Sequence, residues 1–348
     1  MANALVTLLD VSKRKGNDQA VGLLEDTLTY APELSAIMGR PIVGTQYKTA
    51  HRALPTVTFR QPNNGSDTVK GTYRQELKEC ALLDAQIQAD KAVVDSEGAG
   101  NGPEGSIGDL LVDEAQGIIM GAYITVGSQV YYGTSADVNG FVGINTLTAN
   151  LNAAKNVNPA VVGAGGTTAS VQSSAYLIWE NIKGSHFIFG GKNGEQGLSM
   201  LPEWRIQQVL GANGKPLTAY VNNLQGWIGF SVNHPNSVAR IANINKATDS
   251  KPLTDDLVSQ LLALIPLQMR AEILANLNTG GPNKWGPGLK LLMNPITAYG
   301  LQVSRTKVTG VDGQVIDGAA PQPTLPTSSN GIPIVLTDSI TNTESVLT

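Results

Sequence analysis

Three histidines and one cysteine are the residues of this 348-residue chain best suited to metal binding or nucleophilic chemistry. His51, His186 and His234 show no i, i+4 spacing, no His-Glu-x-x-His run and no neighbouring Gly-x-Ser-x-Gly elbow, so neither a zinc site nor a serine hydrolase is indicated. Cys80 is alone, which excludes an internal disulfide and every cysteine-based metal site. With no local His or helix N-terminus to lower its pKa, it reads as an inert thiol. Gly98-Ala-Gly-Asn-Gly102 precedes a helix as a phosphate cradle does, but no βαβ unit surrounds it and no Gly-Lys-Ser/Thr follows, so it reads as a hinge. Asp255-Asp256 suits the first turn of a helix, where the dipole favours acids, better than a catalytic pair. Lys13, Arg14 and Lys15 lack aromatic neighbours and read as a solvated turn. No catalytic residue, cofactor-binding residue or metal ligand is assigned, and no cofactor is expected.

Composition points away from catalysis as well. Charged residues make up 15% of the chain, against about 25% in an average soluble domain. Apolar residues stand at 41%, and Gly alone contributes 38 positions. Polar but uncharged surface of this kind suits contact with other protein. A net charge of −4 without a block of like charge also lacks the Lys/Arg excess that drives counterion release from nucleic acid. The N-terminus has no basic n-region, and the charge-free run from Ala115 to Ala136 is too polar for a lipid-exposed helix, so neither secretion nor a membrane span is expected.

The elements that must carry such contacts can be read in order. Residues 1 to about 46 alternate short apolar pieces with Gly and Pro, as an arm does. From Tyr47 to Leu83 the period becomes two: Val69, Gly71, Tyr73, Gln75 and Leu77 lie on one side, and Thr68, Lys70, Thr72, Arg74, Glu76 and Lys78 form the wet face. A preceding strand, Leu54 to Arg60, joins it through a tight turn at Asn64-Gly65, giving a long hairpin. Two isolated strands are marginal in water, so something outside must hold them. Ile107, Leu110, Leu111, Ala115, Ile118 and Ala122 recur at helical spacing after an N-cap at Ser106, predicting a helix to near Tyr132. Gly117 and Gly121 stand four apart on one side of it, which predicts close approach of another backbone. Residues 134 to 250 carry short runs at Ser174–Glu180, His186–Phe189, Thr218–Val221, Gly226–Val232 and Ser237–Ile244, read as an antiparallel sheet. Pro252 and Thr254 open a helical stretch that Pro266 kinks or splits. Strands at Leu289–Met293 and Ile332–Thr337 follow, with a hairpin tip at Asp312-Gly313.

This order of arm, long hairpin, glycine-rich joint, long helix, sheet and helical lobe resembles the major capsid proteins of tailed bacteriophages with the Hong Kong 97-type fold, podophage-type branch. The residues that carry the resemblance are Arg52-Ala-Leu-Pro-Thr-Val-Thr-Phe-Arg60 with Asn63-Asn64-Gly65, Val94-Asp95, Asn139-Gly-Phe-Val-Gly-Ile144 and Ser173-Ser-Ala-Tyr-Leu-Ile-Trp179. Gly197-Leu198, Gly226-Trp-Ile-Gly-Phe230, Val238-Ala-Arg-Ile-Ala-Asn243, Met293-Asn294-Pro295 and Gly331-Ile-Pro-Ile-Val-Leu-Thr-Asp338 continue it. Each is weak alone, but their joint order spans roughly residues 45 to 340.

The resemblance implies an α+β chain divided into an N-terminal arm (1–46), an extended β-hairpin loop (47–93), a peripheral domain (94–250, spine helix about 107–132) and an axial domain (251–348). It implies self-assembly into hexamers and pentamers of an icosahedral virion shell, formed in the host cytoplasm, that encloses double-stranded DNA without specific binding. A separate scaffolding protein, a portal and a decoration or cement protein are the further partners implied. The loop would lie over a neighbour, with Arg60, Asn64, Lys70, Arg74, Glu76 and Lys78 as contact residues, and Gly117 and Gly121 would pack the spine helix. A secreted or surface β-rich binding module also suits the Gly, Asn and Thr content, but the missing signal peptide and the long central helix weigh against it.

Overall fold

The computed structural model describes residues 28–97, 107–152, 159–191, 197–200, 203–211, 213–245, 247, 249–265, 288–306, 308–309, 315–316 and 324–348. The Lys13-Arg14-Lys15 cluster, Gly98–Gly102, the Ser106 cap, the break at Pro266 and the turn at Asp312-Gly313 lie outside the described residues.

In chain order the first half runs α1 (Glu33–Ala36), β1 (Gly39–Pro41), β2 (Gln46–Ala53), β3 (Thr72–Glu79), β4 (Ala81–Asp90), α2 (Lys91–Glu97), α3 (Ile107–Tyr132) and α4 (Ile144–Leu147). It continues with β5 (Val161–Gly163), β6 (Ser173–Trp179), β7 (Ser185–Gly190), β8 (Ser199–Met200), β9 (Arg205–Leu210), β10 (Pro216–Val232) and β11 (Val238–Ile244). The remainder is α5 (Asp255–Leu264), β12 (Leu289–Met293), α6 (Pro295–Thr306), β13 (Val308–Thr309), β14 (Val315–Ile316), β15 (Ser328–Ser329) and β16 (Ile332–Leu336).

Two sheets organise the body. In the first, the 17-residue β10 is the axis: β4 pairs along one edge over residues 219–228, and β9, β8 and β7 follow one another along the other, with β1 outside β7. Thr218–Val221 and Gly226–Val232 are therefore two ends of one strand. The intervening Asn222 and Asn223 stay in the ladder opposite Ile87 and Gln86. The second sheet has the order β15-β16-β12-β6-β11-β5. It is mixed rather than antiparallel, because β12 runs parallel to β16 and β11 parallel to β5. Strands from both sides of residue 250 share it, so that position does not separate two sheets. Linear patterning finds strands; it cannot show which distant strands pair.

Both faces of the second sheet are covered, which is why β6 and β11 are largely apolar and buried at every residue. Ala175, Leu177 and Trp179 face a core shared with Val258, Leu261 and Leu262 of α5 and with Ala298 and Leu301 of α6. Tyr176 and Ile178 face the opposite core, where Val126, Val130 and Tyr131 of α3 meet Phe187, Ile228 and Phe230 of the first sheet. Thr254 caps α5 by accepting from the Leu257 amide at 3.3 Å. Asn294, before Pro295, accepts from the Ile296 amide at 2.9 Å, and this Asn-Pro start is the local signal of α6, a helix the periodicity had not marked.

A buried ion pair ties the C-terminal segment into this sheet. Arg240 of β11 donates to the Glu344 Oε2 at 2.9 Å, to Ser174 Oγ at 2.9 Å and to the Thr148 carbonyl at 3.2 Å, and its guanidinium lies 5.4 Å from the Tyr176 ring centroid. Tyr132, at the end of α3, donates to Glu344 Oε1 at 2.7 Å. Burial works against the Arg240 charge, but Tyr176 and Glu344 outweigh it and keep the guanidinium ionised. Every strong polar atom of the pair has partners, the condition under which such a pair persists in a core.

Candidate functional site

With that body fixed, β2 and β3 stand apart from both sheets as a two-stranded hairpin. They pair antiparallel from Gln46 opposite Glu79 to Ala53 opposite Thr72, a ribbon of about 26 Å at about 3.3 Å per residue. Residues 54–71 form no strand, so Leu54 to Arg60 is not the first arm of the hairpin; that arm is Gln46–Ala53. The left-handed residue at the tip is Asn63 (φ 68°), not Asn64 or Gly65. Leu54 to Arg60 has strand-forming residues but no strand beside it, and a strand needs a partner ladder. Residues 81–90 belong to the first sheet through β10, so the freestanding portion is 46–79.

The six expected contact residues all fall on this hairpin, in different surroundings. Arg60 donates to the Asn64 carbonyl within the tip. Lys70 and Arg74 are exposed. Glu76 is half-buried and takes Lys78 Nζ at 2.6 Å and His51 Nε2 at 3.4 Å. Partial burial raises the Glu76 carboxyl, but the Lys78 hydrogen bond and charge, with Arg74 and His51, hold it below the ordinary range.

Lys70, Thr72 and Arg74 of the expected wet face are exposed, but towards the root the faces are reversed, with Glu76 and Lys78 half-buried and Leu77 exposed. The half-buried side carries Tyr47, Thr49, His51, Glu76 and Lys78; the exposed side carries Tyr73 (72% exposed) and Leu77 among Lys48, Ala50, Arg52 and Gln75. Tyr47 explains this, because it anchors the hairpin root: its hydroxyl accepts from Arg40 at 3.0 Å and its ring meets His186 edge-on at 5.7 Å. Beyond the strands, Val57 is 76% exposed and Phe59 fully so. Tyr73, Leu77, Val57 and Phe59 are thus large apolar side chains turned to water, on an element that contributes nothing to either core.

Charge separates the same element from the rest. Residues 46–79 carry Lys48, Arg52, Arg60, Lys70, Arg74 and Lys78 against Asp67, Glu76 and Glu79, a net +3. The whole chain is −4, so the remainder is −7.

Where the hairpin leaves the body, a cleft of about 430 Å³ opens between Leu77, Ala81, Phe141, Leu147 and Phe230. Cys80 lines it but is 8% exposed, and burial pushes its thiol up to about 11, far from the reactive range. Asp255 is bound by Arg305 at 2.7 Å through both oxygens and by Ser329, a tie between α5, α6 and β15. Among the described residues no group of three His, Cys, Asp or Glu is placed to hold a metal ion, and no helix is long and apolar enough to cross a membrane.

Gly117 and Gly121 lie on an exposed side of α3 beside Val112, Met120 and Tyr123, and a Cβ added at either would meet nothing within 4 Å. Close packing inside the subunit is therefore not their role. The glycine that packs is Gly127, where a Cβ would stand 2.3 Å from Ser339 Oγ and 2.7 Å from Glu33 Oε2. Spacing alone could not separate these positions, because the groups crowding Gly127 come from both ends of the chain.

The family model described as major capsid protein GP7 matches residues 42–348. A near-atomic structure of bacteriophage Epsilon15 superposes with a TM-score of 0.65 at 18% identity, covering 100% of this chain and 98% of that one. The capsid of bacteriophage JBD30 superposes with a TM-score of 0.51 at 10% identity, covering 97% and 99%. No curated protein matches the chain.

Proposed function

The chain belongs to the major capsid protein GP7 family, and we propose that it builds its shell by laying the hairpin of residues 46–79 over a second copy of itself. It is a structural protein of the tailed-phage head, with the α+β Hong Kong 97-type fold. The observation that carries the proposal is the set of large apolar side chains the hairpin turns to water, Tyr73 and Leu77 with Val57 and Phe59 beyond, set among cations on a basic element of an otherwise acidic chain. Charge complementarity of this kind steers and registers association. Arg60, Asn64, Lys70 and Arg74 are the contact residues at its distal end, whereas Glu76 and Lys78 hold its root. Gly117 and Gly121 then serve a helix face closed by a neighbouring chain.

In this reading residues 1–46 are the arm, 47–93 the extended loop, 94–250 the peripheral domain and 251–348 the axial domain, although the second sheet draws strands from both of the last two. Subunits form hexamers and pentamers of an icosahedral shell assembled in the host cytoplasm, with scaffolding, portal and decoration proteins as separate partners. An acidic body confines double-stranded DNA without gripping it.

Replacing Gln61–Lys70 with Asn-Gly tests the proposal. Both hairpin strands and their root contacts are spared, so the subunit should keep its wild-type melting temperature while negative-stain microscopy finds no shells. Normal shells from this variant would overturn it.

A further inference from the structure

Residues 30–42 form a strap across the body, attached at several points. The Tyr30 amide donates to Asp338 at 2.9 Å, and the Asp338 amide returns a bond to the Tyr30 carbonyl at 2.9 Å. Lys290 donates to the Ala36 carbonyl, Phe187 to the Met38 carbonyl at 2.9 Å, and β1 lies parallel to β7. At the centre of this strap is Glu33, 0% exposed. Its Oε1 accepts from the Thr337 hydroxyl. Its Oε2 has no hydrogen-bond partner, and neither do the buried Tyr131 hydroxyl or Ser339 Oγ beside it. Gly127 makes the room for this convergence.

A buried carboxylate normally meets a cation or a full set of donors. Among the described residues none of the ion pairs includes Glu33. The cation that touches the strap, Lys290, pairs with Glu180 at 2.7 Å. From α3 the facing titratable group is Tyr131, itself pushed well above its ordinary value by burial and by Glu33. From the C-terminal segment come the hydroxyls of Thr337 and Ser339, with Asp338 turned to the Tyr30 amide.

We propose that Glu33 is a protonation-controlled latch, which fastens the strap to α3 and to residues 337–339 while its carboxyl is neutral and loosens it once ionised. Burial is the leading influence on Glu33 and raises its pKa; the Thr337 bond, its own backbone and the nearby hydroxyls of Tyr131 and Ser339 oppose it without reversing the direction. An acid raised in the docked state contributes its full stabilisation below the undocked value, and loses it as pH climbs through the raised value. Between the two values the opening constant of the strap rises toward tenfold per pH unit.

Hydrogen exchange of the full-length chain tests this, followed from pH 4.5 to 7.5 and corrected for intrinsic rates, with a peptide from β6 as internal reference. In the wild type, protection of peptides spanning residues 30–42 should fall with pH toward tenfold per unit, while β6 stays level. In Glu33→Gln, which keeps the shape and removes the charge, the strap should be equally protected throughout. Thr337→Val removes a donor that favours the ionised form, and so should move the wild-type loss to higher pH. Parallel profiles for wild type and Glu33→Gln, or a Thr337→Val loss that stays in place or moves to lower pH, would overturn the latch.

Discussion

The hairpin of β2 and β3 and the sheet around β6 and β11 use similar residues to opposite ends. Ser173–Trp179 is buried at every position, whereas Thr72–Glu79 has no fully buried residue. Tyr176 is enclosed in a core of its own chain; Tyr73 faces water. Polar groups differ in the same sense. Arg240 and Glu344 are enclosed and bonded on all sides, while Lys70 and Arg74 stand in solvent. The body thus contains its own partners, and on the proposed reading the hairpin's are supplied by another chain. In a shell subunit this division lets the monomer fold before it assembles.

The largest effect should come from breaking the enclosed side of the contrast. Glu344→Ala leaves Arg240 buried without its acid and should cost about 3–5 kcal/mol, read as a lower denaturant midpoint. Arg240→Met combined with Glu344→Leu should regain much of that loss. A single variant as stable as wild type would remove the clamp from the account. Next are the glycines of α3. Gly127→Ala should cost about 1–3 kcal/mol through overpacking, whereas Gly121→Ala, open in the isolated subunit, should raise its stability by up to about 1 kcal/mol. Equal responses at the two sites would erase the difference between an inward and an outward glycine. The smallest effect on stability belongs to the hairpin: Tyr73→Ser with Leu77→Ser should stay within about 0.5 kcal/mol of wild type, while the yield of shells in electron micrographs drops.

The same contrast explains what could be read from residues alone. Covered strands declare themselves, because two buried faces leave an apolar run, as in Ala175–Trp179 and Leu291–Met293. The helix Ile107–Tyr132 was equally plain from its spacing. The hairpin was recognisable as an element, but its register was not. Leu54 to Arg60 has strand propensity that only a partner ladder can use, and the outward turn of Tyr73 depends on Tyr47 reaching Arg40 and His186. Nor do Glu33, Gly127, Arg240 and Glu344 form a motif, since their partners lie 66 to 304 residues away in sequence.

The bond from Thr337 to Glu33 spans 304 residues, and that between Tyr30 and Asp338 spans 308. Glu344 meets Gln172 through paired backbone bonds, and the Thr348 carbonyl accepts from the Leu151 amide. The core thus depends on residues 337–348 meeting segments that precede them by about 100 to 300 positions. Without Glu344 the buried Arg240 would have no acid to offset its charge. Residues 337–348 therefore act as a closing seam, holding the sheet of β6 and β11, the strap and α3 together from outside each of them.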